Sequence, residues 1–144
     1  MSKNIEPVQA VLQPTSEFYF DKCTFERKAD PVFVDGKLNY QFNFERSIAR
    51  VDDKNYVVSL LCNIFTDQKE VEMQARIVGR FAVDSEDKRV KNQLISKNTV
   101  AILFPYLRSQ ITLLTAQSGL QPVVLPVLNI GDMFEDAPLP GEED

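Results

Sequence analysis

Residues able to do covalent chemistry are scarce in this chain, and the scarcity is informative. There is no histidine, which removes Ser-His and Cys-His nucleophile pairs, imidazole bases and most zinc sites together. The two cysteines, Cys23 and Cys62, form no CxxC and lie far apart, so they read as plain thiols, with no disulfide or metal centre implied. Paired carboxylates stand at Asp52-Asp53 and Glu86-Asp87. A carboxylate pair can perform general acid-base work, but both pairs sit in charge-rich, turn-like runs. No glycine-rich phosphate loop is present. No catalytic residue, cofactor or metal is therefore assigned, and an enzyme is the weakest reading.

What the sequence does carry is surplus apolar surface. Ten phenylalanines and four tyrosines are spread over 144 residues with only five glycines. Phe18, Phe20, Tyr40, Phe42, Phe44, Phe65 and Phe81, with Leu128, Ile130, Met133 and Phe134, exceed what one helix could cover. The alternatives are core plus an oligomer interface, or a groove that receives apolar segments of other chains, for which Tyr40, Phe42, Phe44, Leu128, Ile130, Met133 and Phe134 are the candidates.

Two thirds of the chain alternates with period two, the mark of half-buried antiparallel strands. Four strand regions follow. The first spans about Val8 to Arg27, with a break near "QPTSE". After the turn dipeptide Asp35-Gly36, the second places Leu38, Tyr40, Phe42, Phe44 and Ile48 on one face. The third, "YVVSLLCNIFT", is apolar on both faces and so belongs in the middle of the sheet. The fourth, "VEMQARIVGRFAV", buries Val71, Met73, Ala75, Ile77, Phe81 and Val83 while showing Glu72, Gln74, Arg76 and Arg80.

"DSEDKRVKNQLISKN" reads as a polar connection with room for a short helical turn. From Thr99 the apolar positions Leu103, Leu107, Ile111 and Leu114 recur at helical spacing, giving one apolar stripe. Pro105 would then fall in or just after the first helical turn, where a missing N–H costs little. Gly119 reads as a left-handed helix cap. "LQPVVLPVLNI" is extended and held straight by Pro122 and Pro126, and Asn129 with Asp132 signals a short terminal helix. The fold class is α+β: a four-stranded antiparallel sheet with one long and one short C-terminal helix on one face. Residues 1–134 form one domain, and 135–144 an acidic, disordered tail.

Formal charge is −5, with five carboxylates in the last ten residues and 16 acids against 16 bases in the rest. No basic stripe for nucleic acid results. No apolar run reaches the ~20 residues of a membrane span, and the N-terminus lacks a secretory signal, so a cytoplasmic location is expected.

The stretch 98–134, "NTVAILFPYLRSQITLLTAQSGLQPVVLPVLNIGDMF", resembles the C-terminal half of the SecB protein-export chaperones in its ILFPYxR helix start, its glycine-ended helix, its proline-containing segment and its short terminal helix ending in phenylalanine. Upstream, "TFE" followed by "ADPVF", then "DDKNYVVSLLCNIFT" and "VGRFAV", are similar to the family's strands. The resemblance implies an ATP-independent holding function, in which non-native polypeptides are taken up in apolar grooves, and dimers formed through the long helices, with Leu103, Leu107, Ile111 and Leu114 as the interface candidates, that pair into tetramers. It also implies acidic sheet residues that dock a translocation motor. Two of those positions are Lys22 and Gln74 here, which leaves Glu26 as the single candidate contact, too thin a surface to expect motor docking. The rival expectations are a partner-dedicated SecB-like protein, such as one attached to a toxin–antitoxin system, and a purely structural oligomer.

Overall fold

The computed structural model describes residues 10–134 and 138–141. Five antiparallel strands form one sheet: β1 (Val11–Pro14), β2 (Tyr19–Arg27), β3 (Tyr40–Arg50), β4 (Asn55–Thr66) and β5 (Val71–Asp84). The sheet is only four lanes wide, because β1 and β2 lie end to end along the same edge of β5. They are the two halves of the first expected strand region. Pro14, which cannot donate to a ladder, marks the break between them. The order across the sheet is β1 or β2, then β5, β4 and β3.

β4 pairs on both sides, as its two apolar faces require. Its inward residues Tyr56, Val58, Leu60, Cys62 and Ile64 join Val71, Met73, Ala75, Ile77, Phe81 and Val83 of β5 in the core. Gly79 belongs to that inward row. A Cβ there would lie 2.7 Å from a Phe81 ring carbon and 3.0 Å from both Leu103 and Phe18, so its missing side chain is what lets the helix seat on the sheet.

The expected polar connection is helical. α1 (Lys88–Gln93) runs through a π-helical turn, Leu94–Asn98, directly into α2 (Thr99–Ala116). Asp87 starts it by accepting from the N–H groups of Arg89 and Val90, a side-chain cap. A single helical path therefore extends from Lys88, and Pro105 lies well inside it. The explanation by a free first turn fails. Pro105 and Ala101, whose carbonyl loses its partner, are both exposed, so water can meet the orphaned oxygen.

Leu103, Leu107 and Ile111 are 0 % exposed in the single chain. They pack on the sheet and cannot serve as the oligomer interface expected of them, and Leu114 is half-buried against the same core. Each fully buried side chain of this kind stabilises by ~1.5–3 kcal/mol. The outward face of α2 instead presents Ile102, Tyr106 and Leu113. Gly119, at φ 77°, ends the helix as a left-handed residue. Past the short 3₁₀ turn Ile130–Met133, Leu139 is 1 % exposed and joins the core, although it lies in the segment expected to be a disordered tail. The rest of that expectation, at 135–137 and 142–144, falls outside the described residues.

Candidate functional site

Three of the four paired carboxylates have structural occupations. Asp52 accepts from the main-chain N–H groups of Lys54 and Asn55, each at 2.9 Å, and these bonds hold its carboxyl below the usual range. Asp53 pairs with Arg50, and Asp87 caps α1. Cys62 is buried, and its thiol is pushed up to about 12. Among the described residues no three potential ligands of His, Cys, Asp or Glu type gather into a metal cluster.

The open apolar surface lies along β3 and the chain after α2. A cavity of about 260 Å³ is walled on one side by Phe33, Lys37, Leu38 and Tyr40, and on the other by residues 121–124. Phe33 is 54 % and Val124 67 % exposed. The Tyr40 hydroxyl is buried without a hydrogen-bond partner, and burial raises its pKa. From here an aromatic row runs inward: Phe42 meets Phe44 edge-on at 5.8 Å, and Phe44 meets Phe104 at 5.7 Å. Contacts of this kind add ~0.5–1.5 kcal/mol each beyond area burial, so Phe44 anchors the row while Phe42, 39 % exposed, offers its surface.

The wall after the helix is extended yet firmly held. The Val123 N–H donates to Thr115 Oγ1 at 2.7 Å, Thr112 Oγ1 donates to the Val123 carbonyl at 2.9 Å, and Arg108 Nε donates to the Leu125 carbonyl at 2.8 Å. Val123 and Leu125 are thereby turned in, and Val124 and Val127 out.

Of the seven groove candidates, Phe42 and Met133 are exposed, while Tyr40, Phe44, Leu128 and Phe134 are half-buried. Ile130 is corrected: at 2 % exposure it is core. Sequence reasoning missed Phe33 and Val124, which lie in segments without periodicity. It also missed Arg46, whose signal was a cation at a core-facing position of an apolar alternation. Arg46 faces the helix side, donates to the Ser96 carbonyl at 2.7 Å and sits 4.9 Å over the Phe134 ring. It ties the sheet edge to the π-helical turn and to the terminal segment.

On the outer face of the sheet, Glu26 stands opposite Glu72, whose carboxylate is held by Lys28. Asn43, Asn63 and Gln74 form an amide chain across three strands beside them. That face is mixed in charge and polarity, with Arg76 bound to Asp21 at its other end.

A family profile described as preprotein translocase subunit SecB matches residues 9–138. The chain belongs to the SecB family. Among its relatives, a protein-export protein SecB of Saccharophagus degradans is 30 % identical over 108 residues, covering 72 % of this chain and 64 % of the relative. A protein-export protein SecB of Magnetococcus marinus is 27 % identical over 127 residues, covering 84 % and 81 %. A SecB-like chaperone of Mycobacterium tuberculosis, solved with a ChAD peptide from the HigA1 antitoxin, superposes with a TM-score of 0.62 at 19 % identity, over 83 % of this chain and 87 % of that one. The sheet with one long helix on one face is thus the SecB-like fold.

Proposed function

We propose that this SecB-family chain is an ATP-independent, cytoplasmic holding protein that takes up apolar segments of non-native polypeptides between residues 33–40 and 121–124. The observation that carries this reading is the two-walled cavity, whose apolar lining stays open to solvent after the domain has buried its core. Membership of the SecB family supports it. A client side chain seated there gains ~25 cal/mol per Å² of apolar surface covered, before ordering costs, so one cavity binds weakly and several in an oligomer bind tightly by multivalency. The test is light scattering from a refolding client at stoichiometric amounts of this protein. Suppression is expected, and undiminished aggregation at excess refutes it.

Self-association belongs to the same proposal, through the outward face of α2 rather than the buried stripe. Ile102, Tyr106 and Leu113 are exposed there, and Tyr106 lines a second cavity, of about 410 Å³, with the Pro14–Phe20 bend. Native mass should fall for Tyr106→Asp with Leu113→Asp, and an unchanged mass rejects this face. A partner-dedicated role is the second reading, favoured by the antitoxin peptide bound to the mycobacterial fold neighbour. In a pull-down, one dominant band supports it and a spread of clients supports general holding. Motor docking through Glu26 gains little support from a face where Lys28 already holds the adjacent Glu72.

A further inference from the structure

The two walls of the cavity are built differently. Residues 121–125 are fixed to α2 by the three hydrogen bonds through Val123 and Leu125. The opposite wall comes from the segment that crosses from β2 to β3, below the β4–β5 hairpin. At its near end the Lys28 N–H donates to the Glu70 carbonyl at 2.7 Å, and the Val32 N–H donates to Glu70 Oε2 at 3.3 Å. The second bond is long beside the ~2.7–2.9 Å of a charge-assisted hydrogen bond. Beyond it, the tip is bonded only to itself, Val34 N–H to the Lys37 carbonyl at 2.8 Å and Lys37 N–H to the Val34 carbonyl at 3.0 Å, around Asp35 and Gly36 at φ 52° and 75°. Among the described residues no other hydrogen bond joins 31–38 to the molecule. Val32, Phe33 and Val34 are all more than half exposed, whereas Pro31, beside them, is buried.

We infer that residues 31–38 are a lid on the apolar cavity, hinged at its two ends, beside buried Pro31 and before β3, and that Glu70 is the positioning residue that latches it. The inference rests on the holding reading above. Glu70 suits the role because it is only 9 % exposed, is set by the left-handed turn at Lys69, and spends just one carboxylate oxygen on the lid while the other, Oε1, is buried without a partner. A latch of one long hydrogen bond closes an apolar lid without locking it. The fixed wall then sets how well an apolar side chain fits, and the lid sets how fast it enters and leaves.

The test is stopped-flow binding of a fluorescently labelled, reduced and carboxymethylated unfolded protein. Glu70→Ala should raise both the association and dissociation rates by roughly threefold or more with little change in Kd, because entry and exit share the lid. Glu70→Gln, whose side-chain carbonyl can still accept from Val32, should restore wild-type rates. In a Cys23→Ser background, Phe33→Cys and Val124→Cys joined by a cleavable crosslinker should slow entry by about tenfold relative to the same variant without the crosslinker, with return to the unbridged rate on cleavage. Equal rates in the bridged and unbridged variant overturn the lid, as do unaltered rates in Glu70→Ala. Hydrogen exchange separates this from failure of the holding reading: the Val32 amide should exchange at least about tenfold faster than the Val123 amide even where no polypeptide binds. Equal protection of the two refutes the hinge.

Discussion

Val124 and Val127 lie three residues apart on the same extended segment and differ in one respect that decides their roles. Both side chains face solvent, at 67 % and 85 % exposure, but only Val124 lines the cavity. Complete burial of a valine contributes at the lower end of ~1.5–3 kcal/mol. A client that covers the exposed two thirds of Val124 therefore draws ~1 kcal/mol from it, about a fivefold change in Kd. Val124→Ser should weaken binding of an unfolded, labelled polypeptide by about that factor, and Val127→Ser by less than about twofold, although Val127 is the more exposed. Neither change opens the core, so the unfolding free energy should stay within the usual ~0.5 kcal/mol of a surface substitution. Fluorescence titration at fixed salt reads both. Equal weakening by the two variants would mean that clients bind exposed apolar surface indiscriminately, and that the cavity is not the site.

Three further outcomes follow from other parts of the molecule. Gly79→Ala places a methyl 2.7 Å from Phe81 and should destabilise the domain by ~1–3 kcal/mol in chemical denaturation; an unchanged midpoint would show that the helix can shift off the strand. A thiol reagent at about pH 8 should label Cys23 but not Cys62 in the native protein and both in denaturant, since Cys23 is exposed while burial pushes Cys62 up to about 12. The Lys28–Glu72 pair holds the Glu72 carboxyl below its ordinary 4.5 and Lys28 above its ordinary 10.5, each mainly through the hydrogen bond between them. Its contribution is present between those values, fades as pH falls through the lowered Glu72 value, and fades again as pH rises through the raised Lys28 value. Glu72→Gln should flatten both limbs of the stability profile, by a small amount because the pair is exposed.

Strands were legible where one face was buried. In β5 the period-two pattern named the inward row correctly through Val83, and the two apolar faces of β4 placed it in the middle of the sheet. The helical stripe Leu103, Leu107, Ile111 was legible as a stripe but not as to what covers it, since spacing fixes the face of a helix and says nothing of its neighbour. With a single long helix over the sheet, that face goes to the sheet first, which leaves residues such as Tyr106 that interrupt the pattern on the outside. Ile130 was misplaced for the same reason.

The proposed client surface was hardest to read because of how it is made. An open site must leave apolar side chains unburied, and regular elements with a strong hydrophobic period are those that bury them. Phe33 and Val124 are therefore carried on irregular segments, one fixed by side chains of α2 and the other by a carboxylate of a hairpin turn. Neither anchor has a sequence signature: Thr112, Thr115 and Glu70 each look like ordinary polar residues, and each becomes meaningful only when its bond to a distant main-chain group is seen. Arg46 obeys the same logic, a single cation in an apolar row whose partners lie on the π-helical turn and at Phe134. Apolar periodicity thus locates the platform, while the cleft is defined by polar side chains that hold irregular backbone beside it.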